Sequence, residues 1–284
     1  MSDKHTYFKN LIKHDMLFGI VYKYYKYIFL AGAVILMCST FFYDINLHNL
    51  GFKTEYSANF IDCIIYLFRG MEVYVPMPDN PESVFKIPVA YLFTNIFTAY
   101  IIGSYSVEDL YSSSNILIRI RKKKYWWLSK CIWVVLNVFV IYFIIYLICF
   151  ILTIANSGSL LEPTAEINSA VSKVAVEGVG IGSLLTAVIV LPVVTSIAVS
   201  LFQSMLSLIL KPIYSYIVII ALIVVSAYFD NIVLIGNYFM LLRNSVVLPG
   251  GINSITAIII VAVIALVSVL ISTLRFEKID FISK

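Results

Sequence analysis

Long apolar segments alternate with short polar ones along the chain. Uninterrupted apolar runs of about 18 residues or more are typical of transmembrane helices. Six segments approach or meet this length, at about residues 27–43, 87–105, 126–155, 183–210, 212–229 and 254–274. The pattern predicts an all-α polytopic membrane protein with six transmembrane helices, forming one transmembrane domain over residues 1–284. Pro192 lacks a backbone donor, so we expect a helix kink in the fourth segment.

The basic residues indicate an orientation for these helices. With both termini in the cytoplasm, 15 of the 20 Lys and Arg residues lie on the inner side and 5 on the outer side. Cytoplasmic loops of membrane proteins carry such an excess, so N-in and C-in is the predicted topology. Lys130 is the only charged residue or histidine within the six segments. It lies near the inner end of the third segment, where we expect its long side chain to reach the membrane interface.

Residues 6–24 precede the first segment. Their pattern of apolar and basic residues predicts an amphipathic helix on the inner membrane surface. Lys9 and Lys13 lie on its polar face, toward anionic lipid headgroups. Asp15 interrupts the apolar face. The alternative interpretation of residues 6–24 is a plain continuation of the first transmembrane helix. The apolar face carries Phe8, Leu11, Ile12, Phe18 and Tyr22.

Two outer connections contain apolar stretches that are too short to span a membrane. The first lies in residues 44–86 and the second in residues 230–253. Both are interpreted as short segments that dip into the membrane or lie at its surface. The first has apolar and aromatic residues on one broad helical face, at positions Tyr56, Phe60, Ile61, Ile64, Ile65 and Phe68.

The composition excludes a soluble enzyme, because 61% of the residues are hydrophobic and only 13% are charged. A typical soluble domain has about 25% charged residues. The net charge of +4 is scattered rather than clustered, so no nucleic-acid partner is expected. The cysteines at 38, 63, 131 and 149 have no metal-ligand spacing, and we expect them to be small buried apolar residues.

The apolar segments contain no recognisable catalytic or ion-coupling residues. They hold no carboxylate or histidine, which argues against proton- or sodium-coupled transport. The chain also has no H-E-x-x-H, G-x-S-x-G or P-loop motif. We therefore expect no catalytic residue, metal or cofactor on this chain, and any energy from ATP must come from a partner.

The inner connection at residues 106–125 is the best candidate for contact with such a partner. Acidic residues favour the first turn of a helix, and apolar ones would anchor it in a partner's groove. The candidate coupling residues are Glu108, Asp109, Leu110 and Tyr111. An ordinary juxtamembrane loop is the alternative.

A basic cluster closes the same connection. Its residues are interpreted as topology and lipid-headgroup contacts, and the following Trp126 and Trp127 as interfacial residues. The cluster consists of Arg119, Arg121, Lys122, Lys123 and Lys124.

This arrangement resembles the permease subunit of ABC-2-type exporters. Residues 118–133, 68–76 and 236–243 are similar to stretches of small permeases from Gram-positive bacteria that export bacteriocins or other peptides or confer resistance to them. The resemblance implies a dimer of permeases, identical or related, bound to two ATP-binding subunits that hold ATP and Mg. It also implies that the loop around residues 108–111 is the coupling helix and that the chain is a multi-pass protein of the bacterial cell membrane.

The sequence thus suggests a non-enzymatic exporter subunit that moves an amphipathic or hydrophobic peptide outward. An alternative is a stand-alone immunity or sensor protein that binds a membrane-active peptide through its outer loops. An intramembrane lipid enzyme is a third reading, and the absence of a buried acid, base or metal-ligand cluster in the segments disfavours it.

Overall fold

The structure, a computed structural model, describes residues 2–73, 87–112, 123–156 and 163–278, with side chains for 8–73, 87–103, 123–156 and 163–278. It is 80% helical. No β-strand is present in these ranges. The helices are α1 Ser2–Met16, α2 Tyr24–Phe52, α3 Phe60–Phe68, α4 Val89–Ser112, α5 Lys123–Ala155, α6 Ala165–Ile167, α7 Ile181–Ile209, α8 Pro212–Tyr228 and α9 Ser254–Glu277.

Four helices of the described chain are long and apolar enough to cross a membrane: α2, α5, α7 and α9. The apolar part of α4, Val89–Gly103, and α8 are shorter. Each of the six apolar segments coincides with a helix, and the predicted all-α membrane architecture is confirmed at this level. The number of helices that cross the bilayer and their orientation stay predictions.

The second helix is longer than its apolar segment. It continues through Asp44 to Phe52, whereas the apolar run ends near residue 43. Lys53 then adopts a left-handed conformation, with φ of 54°, and Thr54 donates its backbone N–H to the carbonyl of Asn49 at 3.1 Å. This is a common way to end a helix, so the turn chemistry rather than the loss of apolar residues sets the boundary.

The long helices run alternately between two ends of the bundle. At one end α1 packs on the start of α5, and the start of α5 packs on the end of α9, where Trp126 stacks on Phe276. We call this the α1 end. At the other, the α3 end, Arg69 follows α3 and accepts a hydrogen bond at its carbonyl from Leu242, which lies between α8 and α9. The start of α5 therefore lies at the α1 end.

Helix α7 occupies the centre of the bundle. Of its most apolar 18-residue window, 61% is buried, against 22% for α9 and 33% for α2. A π-helical turn, Thr186–Val190, directly precedes Pro192. Because proline lacks an N–H and its ring crowds the carbonyl four residues back, a widened turn accommodates it without ending the helix.

Candidate functional site

The predicted coupling residues occupy the last turns of α4. They continue the helix that begins at Val89 instead of opening a short helix of their own. Their side chains, at Glu108, Asp109, Leu110 and Tyr111, lie outside the described residues. The same holds for Arg119, Arg121 and Lys122, whereas Lys123 and Lys124 form the first turn of α5. The start of α5, with Lys123 and Lys124, belongs to the α1 end.

A buried ion pair joins α1 to α5 at this end. The ammonium group of Lys130 donates to Oδ1 of Asp15. Ser129 donates its hydroxyl to Oδ2 of Asp15 at 2.8 Å. The Lys130 ammonium also lies 4.7 Å from the ring centroid of Trp126. The side chains of Lys130 and Asp15 are only 1% and 3% exposed, so the pair is shielded from solvent on both helices.

The expectation that Lys130 reaches the membrane interface is therefore wrong. Its side chain turns into the protein, because a carboxylate from α1 compensates the loss of hydration. The same contact explains why Asp15 interrupts the apolar face of the amphipathic helix: that position faces α5. Phe18 and Tyr22 are instead exposed, while Lys9 and Lys13 are exposed as expected on the other side.

A glycine allows α1 to approach α5 closely. Gly19, one turn after Asp15, lies in the π-helical turn Leu17–Val21 that extends α1. A Cβ atom added to Gly19 would lie 2.3 Å from Nε1 of Trp133, which is one turn after Lys130. Real Cβ atoms do not approach other atoms so closely. Asp15 and Gly19 thus lie on the side of α1 that packs against α5, where Asp15 pairs with Lys130 and Gly19 leaves room for Trp133.

The tryptophans after the basic cluster join α5 to α9. Trp127 donates its indole N–H to Oγ of Ser272 at 2.8 Å. Both Trp126 and Trp127 stack on Phe276, with ring centroids 5.2 Å apart in each case. They are buried, so their interpretation as interfacial residues is wrong. We call the unit formed by the Asp15–Lys130, Gly19–Trp133 and Trp127–Ser272 contacts the inner junction.

A second polar cluster lies at the α3 end and is centred on Asp62. Asn59 and Asp62 form a capping box at the start of α3. The Asp62 carboxylate also accepts hydrogen bonds from the Thr164 backbone at 3.1 Å and from the Asn168 amide at 2.6 Å. Burial raises the pKa of the Asp62 carboxyl, and these donors oppose the rise. The short amphipathic helix predicted from residues 56–68 is thus present and anchored to the α5–α7 connection.

Two arginines hold the α3 end together through backbone carbonyls. Arg69 donates to the carbonyls of Val171 and Ser172 at 3.0 and 3.2 Å. Arg243 is fully buried and donates to the carbonyls of Met71, Glu72 and Ala227 at 3.0 to 3.2 Å. Burial lowers the pKa of the Arg243 guanidinium, and the charge of Asp230 opposes that change.

Two of the three stretches that carry the family resemblance meet here. Gly70 has a φ of +72°, and a Cβ on it would lie 2.2 Å from the Met240 side chain. The backbone N–H of Leu242 donates to the carbonyl of Arg69 at 3.0 Å. Residues 68–76 and 236–243 are therefore packing partners wherever both are described, which the sequence alone did not indicate.

A cavity of about 380 Å³ lies beside this contact, between α2, α3 and the start of α4. The guanidinium of Arg69 lies over the ring of Tyr66, 4.7 Å from its centroid, and both residues line the cavity. Its remaining lining is mostly apolar, with Leu36, Met37, Thr40, Leu67, Gly70, Ile87, Pro88, Val89, Ala90 and Tyr91. An apolar recess with one cation is suited to an amphipathic ligand.

All four cysteines are free and buried, as predicted. Three of them, Cys38, Cys63 and Cys149, nevertheless come together from three different helices, which their spacing along the chain did not suggest. Local motif searches miss such a cluster because its members are up to 111 residues apart.

Comparison with known families identifies the group to which the chain belongs. Residues 54–282 match the model of a family described as "Protein of unknown function (DUF2705)". The chain is a member of this family. No curated protein and no solved structure matches it significantly. The family match begins just after α2 and extends through α9, so the inner junction joins α1, which precedes the match, to two helices within it.

Proposed function

We propose that this member of the family is the membrane-spanning permease subunit of an ATP-driven ABC exporter in a bacterial cell membrane. In this proposal all six apolar helices, α2, α4, α5, α7, α8 and α9, cross the bilayer, with both termini in the cytoplasm. Two ATP-binding subunits associate with two copies of the permease, or with one copy and a related chain. The cargo is an amphipathic or hydrophobic peptide.

The observation that carries this proposal is the position of the inner junction at the start of α5, the helix that follows the predicted coupling residues in the chain. In this proposal, a partner bound at the predicted coupling residues also displaces the first turns of α5. Those turns are tied to α1 by the Asp15–Lys130 pair and to α9 by the Trp127–Ser272 hydrogen bond. A local displacement would therefore move three helices together, which is what coupling to an external motor requires.

In the proposed mechanism, alternating access results from a relative movement of these helices. Closure of the ATP-binding subunits would rotate α1, α5 and α9 as one body against the central helix α7. The cargo would then face first the inner side and later the outer side. Weakly polar helices suit such a path, because an apolar cargo needs no charged coordinating groups within the bilayer.

The proposal is tested by capture of the partner. The full-length tagged chain is purified in mild detergent from the cells that produce it, and co-purifying proteins are identified by mass spectrometry. We expect a P-loop ATPase at about one copy per permease. Absence of any ATPase from the crosslinked and purified complex would contradict the proposal.

The coupling site is tested with the ATPase that co-purifies. In D109A/Y111A, removal of two anchor side chains should weaken the association by roughly 2 kcal/mol, or about 30-fold. The matched control is Asp44→Ala, because Asp44 is an exposed carboxylate on the part of α2 toward the α3 end. Equal association and equal ATP turnover in both variants would exclude residues 108–111 as the coupling contact.

A stand-alone immunity or sensor function is the second candidate, and the cavity at the α3 end favours it. An apolar recess lined by Tyr66 and Arg69 can hold a membrane-active peptide without any ATPase. Arg69→Gln should then reduce protection of cells against the peptide, while the purified chain binds no ATP-binding subunit. Co-purification of the ATPase decides between the two functions.

A further inference from the structure

Three thiol groups meet in the interior of the bundle. Cys38 comes from α2, Cys63 from α3 and Cys149 from α5. The sulfur atoms of Cys38 and Cys63 are 3.5 Å apart, and those of Cys38 and Cys149 are 3.9 Å apart. All three sulfur atoms lie within 4.8 Å of one another, and each residue has no exposed surface.

These distances match the geometry of a metal ion at the centre of a sulfur triangle. With a metal–sulfur bond of about 2.3 Å, as in zinc thiolates, a trigonal planar site has sulfur atoms about 4.0 Å apart. The two measured separations are 3.5 and 3.9 Å, so small side-chain adjustments would suffice. Three rigid helices supply the ligands, which favours a preorganised site.

The number and type of ligands discriminate between metals. In the described part of the chain no fourth His, Cys, Asp or Glu joins this group. The adjacent carboxylate, Asp62, is already engaged by Asn168 and Thr164. Soft thiolates favour Cu(I), zinc and iron–sulfur clusters, but structural zinc sites almost always have four ligands, whereas Cu(I) is satisfied by three. The surrounding apolar side chains would also keep water and oxidants away from the ion.

We propose that Cys38, Cys63 and Cys149 form a three-coordinate binding site for a soft metal ion, with Cu(I) as the best fit. Cu(I) displaces the proton of one thiol, and that proton passes to solvent. The one thiolate balances the charge of the ion, so the buried site stays neutral. No oxidant or reductant is consumed. Met37 and Leu67 line the cavity at the α3 end and adjoin Cys38 in the sequence and Cys63 on its helix, so we expect the ion to approach from that side. The proposal does not depend on the exporter function.

The test is anaerobic titration of the reduced, full-length protein in mild detergent with Cu(I), against a chromophoric copper chelator as competitor. We expect one tightly bound Cu(I) per chain. Since loss of an outer-shell partner alone lowers metal affinity about 10–100-fold, Cys63→Ser should weaken binding by more than about 100-fold. The matched control is Cys131→Ser, because Cys131 is also buried but lies outside the cluster. It should bind copper as the wild type does.

X-ray absorption of the copper-loaded wild type gives a readout that does not depend on a variant folding correctly. A shell of three sulfur atoms is expected. A shell of nitrogen or oxygen atoms, or of only two sulfurs, would overturn the three-coordinate site. Equal copper binding by the wild type and Cys63→Ser would also overturn the proposal. It would likewise be overturned if the reduced wild-type protein bound no Cu(I) and formed a disulfide among these cysteines on oxidation.

Discussion

Lys130 and Asp15 show how one buried contact changes the role of two residues. Each charge alone would be costly to bury, because removal of an ion from water costs several kcal/mol even after relaxation. Together with the Ser129 hydroxyl they form a compensated group between α1 and α5. The pair therefore specifies where α1 docks more than it adds net stability.

Lys130→Met should destabilise the protein by about 3–5 kcal/mol, because it leaves the Asp15 carboxylate buried and uncompensated. D15L/K130M should recover most of this loss, since two apolar side chains can replace a buried ion pair at little cost. The measurement is the midpoint of thermal unfolding in detergent. Lys9→Met, at an exposed position of α1, is the control and should leave the midpoint unchanged. Equal midpoints for Lys130→Met and Lys9→Met would show that the pair is not maintained.

The pairing could not be predicted from the sequence, although a signal was present. An acidic residue on the apolar face of α1 and a lone lysine in an apolar segment each violate the local pattern. The two residues are 115 positions apart in the sequence. The hydrophobic periodicity of one helix carries no information about its contacts with another helix. Two such violations of opposite charge near one end of a bundle are best considered together.

At the scale of elements, the docking of α1 depends on a glycine. Gly19→Ala places a methyl group where Nε1 of Trp133 lies, so α1 must shift away from α5. Overpacking of this kind costs about 1–3 kcal/mol. We expect limited proteolysis to cleave residues 8–21 faster in Gly19→Ala than in the wild type.

The comparison variant for this prediction is Gly32→Ala in α2, since a Cβ at Gly32 meets no atom within 4 Å. There alanine should be neutral or stabilise the helix by up to about 1 kcal/mol. Equal cleavage of α1 in both variants would mean that the close contact with Trp133 does not hold α1 in place.

Helix positions followed from the sequence more readily than helix contacts did. The apolar runs gave α5, α7, α8 and α9 to within a few residues, because the bilayer length and backbone hydrogen bonding impose helices on such runs. The short α3 was also predicted from its one-sided apolar pattern. The end of α2 was missed, since Lys53 in a left-handed turn rather than a change in polarity terminates it. The cysteine cluster was missed because it forms only when three helices pack.

For the whole molecule, the proposed six membrane crossings can be tested by cysteine labelling. All four natural cysteines are buried, so background labelling should be low. Cysteine is introduced by Lys9→Cys, Val233→Cys or Lys278→Cys, each at an exposed position. In intact cells a membrane-impermeant maleimide should label only Val233→Cys. The other two variants should react after permeabilisation.

Each pair of sites in this experiment tests a different part of the topology. Labelling of Lys9→Cys and Val233→Cys from the same side would contradict the alternating arrangement. Labelling of Lys9→Cys and Lys278→Cys from opposite sides would require an odd number of crossings.

The way in which Arg69 and Arg243 bind has an evolutionary consequence. Both donate to main-chain carbonyls, at Val171 and Ser172 and at Met71 and Glu72, and every residue type supplies a carbonyl. Mutations at these acceptor positions therefore leave the hydrogen bonds from the arginines intact as long as the backbone conformation is unchanged. We expect the acceptor loops to tolerate changes of sequence, whereas changes in their length or at the two arginines should disrupt these contacts. The surface at this end of the molecule can thus be remodelled without loss of its internal framework.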